Sequence, residues 1–285
     1  MGGGKLAAER TGWELNRKGF RFPIRIGCAG WALDKALQPR FPEGGTHLQR
    51  YAAVFPSVEI NSSFYRPHKR ATYERWSASV PEWFRFCVKV PREITHLRRL
   101  KDCGDIWARF LDEVSGLGGK LGPLLVQLPP SLARNPHTAG TFLEDLRRRH
   151  DGPVALEPRH ATWFTEAADV SLERIRIARV AADPALTPTA AVPGGWRGLA
   201  YYRLHGTPRM YYSPYPEARL KESAVRLKLD AESAESYCIF DNTAEGHAIP
   251  DAMALMEHAG AGGTGGTQAS GAAAGPENRI TVFSG

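Results

Sequence analysis

Cysteine is scarce in this chain: four in 285 residues, Cys28, Cys87, Cys103 and Cys238. No two stand at C-x-x-C or any paired spacing, which argues against a disulfide framework and against a zinc ribbon. No apolar run reaches 18 residues, so no segment reads as a membrane-spanning helix. The opening MGGGKLAAERTGWELNRKGF lacks the apolar core of a secretory signal and reads as a polar extension. These absences together make the reducing cytoplasm the expected compartment. H-x-H and H-E-x-x-H spacings are missing too, so the sequence singles out no metal ligands.

What is present is ample material for a core, with 42% hydrophobic and 10% aromatic residues. The net charge of +7 is unevenly spread. Residues 1–150 hold 25 lysines and arginines against 14 acidic residues, and the remainder holds 12 against 16. A basic first half suits acidic or phosphorylated partners, although a solvated basic surface gives the same count.

Eight apolar, strand-like segments lie between Ile24 and Asn242: Ile24–Cys28, Val58–Asn61, Phe84–Lys89, Pro123–Gln127, Val154–Glu157, Ile177–Asp183, Leu199–His205 and Tyr237–Asn242. Amphipathic helical stretches fall between them at His47–Phe55, Thr72–Ser79, Asp105–Leu117, Thr138–Arg149 and Pro216–Leu229, with a last one near Gly246–His258. Alternating strands and helices indicate βα units with a parallel sheet. Eight units in about 220 residues predict a closed TIM-like (β/α)8 barrel, an α/β fold. Proline and glycine between Trp163 and Ala200 predict short or irregular connections between strands 5 and 7. The expected layout is a polar extension over 1–22, the barrel over 23–258 and a Gly/Ala-rich flexible tail over 259–285.

In a βα barrel the chemistry sits at the C-terminal ends of the strands. The stretch VEINSSFYRP, residues 58–67, is the sharpest example. A short apolar strand closes there in Glu59 and Asn61, which alternation places on one face. Polar residues end nearly every other strand as well: Lys89, Gln127, Glu157, Asp183, Arg203 with His205, and Asp241 with Asn242. The one-sidedness marks a single polar barrel mouth. A buried network of structural ion pairs would produce the same pattern, so that reading stays open.

Seven motifs occur in order along the chain: GCAGW at 27–31, VEINSSFYRP, FCVKVPREITHLRRL at 86–100, LGPLLVQLPPS at 121–131, ALEPRHATWF at 155–164, YYRLHG at 201–206 and FDNTAEGHA at 240–248. Together they resemble the domain of unknown function 72 (YecE-like) family over roughly residues 24–258. The resemblance implies a TIM-barrel-like fold and no established reaction. Cys28-Ala29 and Pro158 depart from the pattern, where the family usually has a hydroxyl residue and commonly an aromatic.

Three chemistries compete for the strand ends. Lys89, Arg159 and Arg203, with Arg66, are suited to a phosphate or carboxylate, unless each is spent on Glu59, Glu157 or Asp241. Glu59, Glu157, His160, His205 and Asp241 are acid–base candidates, and His205, on the same strand face as Arg203, is the first choice. Glu157, Asp183, His205 and Asp241 offer metal-type ligands, but the neighbouring cations compete for them, and no metal is expected. Trp31, Phe64, Tyr65 and Trp163 are expected to line the mouth. Cys28 ends the first strand, where a buried thiol is more usual than a nucleophile.

Two loops interleave cations with aromatic or imidazole rings: Pro91–Asp102, with Arg92, His96, Arg98, Arg99 and Lys101, and Gly206–Pro216, with Arg209, Tyr211, Tyr212 and Tyr215. Such loops suit phosphate contacts and base stacking. The expectation is a strand-end cavity for an anionic or phosphate-bearing ligand. As an enzyme it would be a hydrolase or lyase using His205, Glu157 and Glu59, with Asn61, Tyr65, Lys89, Gln127, Arg159, His160, Trp163, Arg203, Asp241 and Asn242 binding substrate. The rival is a non-catalytic nucleic-acid or ligand-binding barrel, since barrels host many functions. No cofactor, membrane partner or oligomeric state is indicated.

Overall fold

The computed structural model describes residues 21–260. The expected terminal segments therefore lie almost wholly outside the described residues. Within them the chain forms a TIM barrel. Its strands are β1 (Ile24–Ala29), β2 (Ser57–Ile60), β3 (Arg85–Lys89), β4 (Leu121–Gln127), β5 (Val154–Glu157), β6 (Ala178–Arg179) continued by β7 (Ala181–Asp183), β9 (Leu199–Leu204) and β10 (Glu235–Phe240). All pair parallel around the ring. The ring closes through the 178–183 segment, whose first half pairs with β5 and whose second half pairs with β9. A two-residue strand, β8 (Gly194–Gly195), adds antiparallel to β6.

Outside the ring lie α1 (His47–Ala52), the short turn α2 (Ser62–Tyr65), α3 (Arg70–Ala78), α4 (Gly104–Val114), α5 (Pro136–Arg149), α6 (Glu166–Arg174), α7 (Glu217–Asp230) and α8 (Ala248–His258). Local chemistry explains their starts. Thr46 and Gln49 form a reciprocal capping box at α1. Asn135 caps α5, with Pro136 in the first turn and Arg147–Arg149 in the last, favourable to the helix dipole. The link after β5 is more regular than its sequence suggests, because Thr165 caps α6 and Glu166 and Asp169 occupy its first turn. The proline and glycine act only later: between β7 and β9 no α-helix forms, and a 3-10 turn at Pro188–Ala191 and β8 take its place.

Strand alternation sorts side chains into two populations. Ile24, Ile26, Val58, Phe86, Val88, Leu124, Val126, Val154 and Leu156 join the main apolar cluster shared with the helices. The alternate positions, Cys87, Leu125, Ala155, Tyr201, Tyr237 and Ile239, form a separate smaller cluster. The lumen is thus filled, and its apolar layers end below a charged layer at the C-terminal strand ends. No helix among the described residues is long and apolar enough to cross a membrane.

Candidate functional site

Period-two alternation carries Glu59, Asn61, Lys89, Gln127, Glu157, Arg203, His205 and Asp241 to the top of the lumen. Arg203 organises them. Its Nε donates to Glu59 Oε2 at 3.0 Å and its Nη2 to Glu59 Oε1 at 2.6 Å. Nη1 donates to Glu157 Oε2 at 2.8 Å, and Nη2 also reaches Asp241 Oδ2 at 2.9 Å. The guanidinium is fully buried, and these carboxylates raise its pKa well above the ordinary value against the opposing effect of burial. Carboxylates from three strands therefore converge on one arginine fork, the geometry to which a planar five-donor group is suited.

Arg203, expected to bind substrate, has its donors engaged by the protein. Glu59, expected to be catalytic, is engaged as well. It is fully buried and accepts Tyr201 Oη at 3.0 Å besides both Arg203 bonds. Sequence reasoning missed Tyr201, although alternation puts it on the same strand face as Arg203 and His205.

Glu157 is also fully buried and saturated. Oε2 accepts Gln127 Nε2 at 2.8 Å, and Oε1 accepts Arg159 Nη2 at 2.8 Å and Nε at 3.1 Å. Burial works to raise its pKa, but Arg203 and Arg159 outweigh it and hold the carboxyl well below the usual range. A carboxylate so firmly ionised and so fully bonded is a poor proton carrier.

His205 lies between Asp241 and Glu157, each at 3.1 Å from one ring nitrogen, with Arg159 Nη2 3.0 Å from Nε2. Nδ1 thus faces Asp241, whereas Nε2 faces both the Glu157 carboxylate and the Arg159 guanidinium. At 1% exposure, His205, the expected acid–base group, links Asp241, Glu157 and Arg159 within the network.

The outer face of the network differs. Lys89 is buried, yet among the described residues no carboxylate lies within 4.0 Å of its Nζ, which instead sits 4.4 Å from the centre of the Phe64 ring. Burial lowers its pKa from 10.5, and Arg203 adds to this, against the pull of Glu59, Glu157 and Asp241. Asn61 donates weakly to Asp241 Oδ1 at 3.4 Å, while its own Oδ1 is buried without a partner. Arg159 keeps a fifth of its side chain exposed, and its Nη1 has only long contacts, to Met210 Sδ at 3.8 Å and Tyr211 Oη at 3.5 Å.

His96 stands edge-on to Phe64 at 4.9 Å. Burial lowers its pKa, and Lys89, Arg92 and Arg159 lower it further. Lys89 and His96 thus share the Phe64 ring above an inner layer where the acids are consumed. Sequence reasoning placed His96 only in a basic loop, because the π-helical turn at Glu93–Leu97 that sets it against Phe64 has no simple periodicity.

Several expected site residues serve the scaffold. Asn242 is fully buried and donates to Ser213 O at 3.0 Å and Asp251 Oδ2 at 2.7 Å, clipping the 206–216 loop to α8. Asp183 turns to Arg219 at 2.6 Å, away from the other proposed metal ligands. Among the described residues no group of three or more His, Cys, Asp or Glu side chains is arranged to hold a metal ion. Trp163 is buried with its indole N–H on Leu132 O at 3.0 Å, and His160 accepts from Thr162 N at 3.3 Å as a cap. Tyr65 is 71% exposed, and Trp31 packs edge-on against Trp76. Burial pushes the Cys28 thiol up to about 12, which removes it as a nucleophile.

The Gly206–Pro216 loop covers the network from the β9 side. Gly206 has φ +93°, and a Cβ there would meet Ser213 O at 2.7 Å, so only glycine fits without strain. Gly206→Ala is expected to cost about 1–3 kcal/mol in denaturant unfolding.

Open clefts flank the network: about 260 Å³ beside Cys28, Asp34, Thr243 and Ile249, and about 220 Å³ beside Arg98, Arg99, Lys101 and Trp163. Neither is lined by Lys89, Arg203 or His205.

A family model described as "Protein of unknown function DUF72" matches residues 25–274. The chain belongs to the DUF72 family. It is similar to the YecE protein of Escherichia coli, with 31% identity over 147 residues, 51% of this chain and 52% of that one. The YunF protein of Bacillus subtilis shows 30% identity over 148 residues, 50% of this chain and 52% of that one. The matches span about half the length of these two relatives.

Two solved DUF72 family proteins share the fold. That of Enterococcus faecalis superposes with TM-score 0.72 at 21% identity, covering 84% of this chain and 96% of that one. That of Thermotoga maritima gives 0.68 at 25%, covering 82% and 98%.

Proposed function

We propose that the strand-end mouth of this DUF72 barrel binds a small anionic, phosphate- or carboxylate-bearing ligand. The observation that carries the reading is the pairing at the mouth. Glu59 and Glu157 are buried and bonded to Arg203, while Lys89 has no carboxylate within 4.0 Å among the described residues. An ammonium buried in this way is costly unless a counter-charge arrives. Arg159 Nη1, with only long contacts, supplies the second cationic arm.

As an enzyme, a lyase has more support than a hydrolase, because His205 and Glu157 are locked in the network and neither is free to activate water. The nucleic-acid alternative has less support. Arg99 spends itself on Ser131, Arg98 bonds Asp102 O and Glu93, and Arg209 stacks on Tyr212 at 3.7 Å.

Calorimetric titration with inorganic phosphate at low salt tests the reading. Binding should weaken about tenfold or more in Arg159→Gln, the loss of a charge-assisted contact being worth about 1.5–3 kcal/mol. It should be unchanged in the paired variant Arg98→Ala with Arg99→Ala. Equal affinity in Arg159→Gln, or loss in the Arg98/Arg99 variant, would move the anion site to the basic loop.

A further inference from the structure

Lys89 and Asn61 are a matched pair of unused polar groups. They stand one residue beyond the register pair Ile60 and Val88, so they are neighbours at the ends of β2 and β3. One presents an amine with no carboxylate within salt-bridge distance among the described residues, the other a buried amide oxygen with no donor. Phe64 forms an apolar floor beneath the amine, and Arg203, committed to its carboxylates, adds a fixed positive charge nearby.

From this geometry we propose that Lys89 is a nucleophile that forms a Schiff base with an aldehyde or ketone carrying an anionic group. The inference rests on the anion reading above for the substrate's charged end, which Arg159 would hold, and adds covalent chemistry at the other end.

A lysine becomes nucleophilic when apolar surroundings or a neighbouring cation disfavour its ammonium form, and burial and Arg203 act on Lys89 in that direction. The step balances without a co-reactant. The ammonium sheds one proton, and the amine lone pair forms a C–N bond as the carbonyl π pair moves to oxygen. That oxygen takes up a proton to give a carbinolamine. It then leaves as water with a second amine hydrogen, so ammonium plus carbonyl becomes iminium plus water. The carbinolamine hydroxyl is the donor that Asn61 Oδ1 lacks. A simple anion site would use the amine but leave that buried acceptor unpaired, which is costly.

The test is reductive trapping on the full chain with pyridoxal 5′-phosphate, an anionic aldehyde, and with acetaldehyde as the neutral counterpart. After sodium borohydride, adducts are mapped by peptide mass spectrometry. The expected result is one adduct on Lys89 at substoichiometric reagent, ahead of the exposed Lys35, Lys69, Lys101 and Lys221. Inorganic phosphate, which is held at the same amine, should slow trapping by both aldehydes.

Lys89→Arg should abolish the adduct, and Asn61→Ala should slow trapping about tenfold, the rate equivalent of roughly 1.4 kcal/mol. Adducts spread over the exposed lysines with Lys89 unmodified, while phosphate still binds, would overturn the inference and leave the anion reading standing. Trapping of Lys89 by acetaldehyde without phosphate protection would sustain the nucleophile and overturn the anion reading.

Discussion

Replacing Arg203 by methionine is expected to cost the barrel about 3–5 kcal/mol or more, a large part of the usual stability of a domain. The size follows from what is left behind. Glu59, Glu157 and Asp241 all accept hydrogen bonds from this one guanidinium, and two of them are fully buried. Without it they face one another in the lumen with no compensation from the apolar layer below. For a chain of this size the melting temperature should fall by about 10 °C or more.

Combining Arg203→Met with Glu59→Leu should recover part of the loss, since one stranded carboxylate is then gone. Thermal unfolding of the two variants checks both statements. A single variant that melts within a degree or two of the wild type would mean that the network holds nothing together.

Lys89→Met is expected to act in the opposite direction on stability and most strongly on binding. The environment as a whole lowers the Lys89 pKa from 10.5. The folded state thus disfavours the ammonium relative to the unfolded chain, and removing the charge removes that penalty. Methionine covers the same ground on Phe64 with no charge to desolvate. The variant should gain about 1 kcal/mol, equivalent to roughly 2–4 °C in melting temperature. Its phosphate affinity should fall by about two orders of magnitude, as expected for the loss of a desolvated charged partner worth about 2–3 kcal/mol.

The barrel was legible in the sequence because its strands are short, apolar and closed by polar residues, and because period-two alternation fixes which side chains enter the lumen. That rule placed Glu59 with Asn61 and Arg203 with His205, and the structure carries them all to one mouth. Which of them face a ligand was not legible. Alternation gives a residue's face but not its partners, and partners here come from strands far apart in sequence: Glu59 meets Arg203, and Asn61 meets Asp241.

Charge type alone therefore gave Arg203 and Lys89 the same role. Burial and pairing separate them, one saturated by three carboxylates and the other by none. Trp163 and Asn242 illustrate the same limit, since an aromatic or an amide at a strand end packs inward or outward according to loops that the pattern does not describe.

The central claim is that Arg203 consumes the acids of the mouth and leaves Lys89 to receive an anion. The most direct measurement is the melting temperature of wild type and Lys89→Met with and without inorganic phosphate. The account predicts that phosphate raises the wild-type melting temperature by mass action, whereas Lys89→Met starts higher and gains little from phosphate. A Lys89→Met protein that melts lower than wild type, yet is stabilised by phosphate to the same extent, would contradict it.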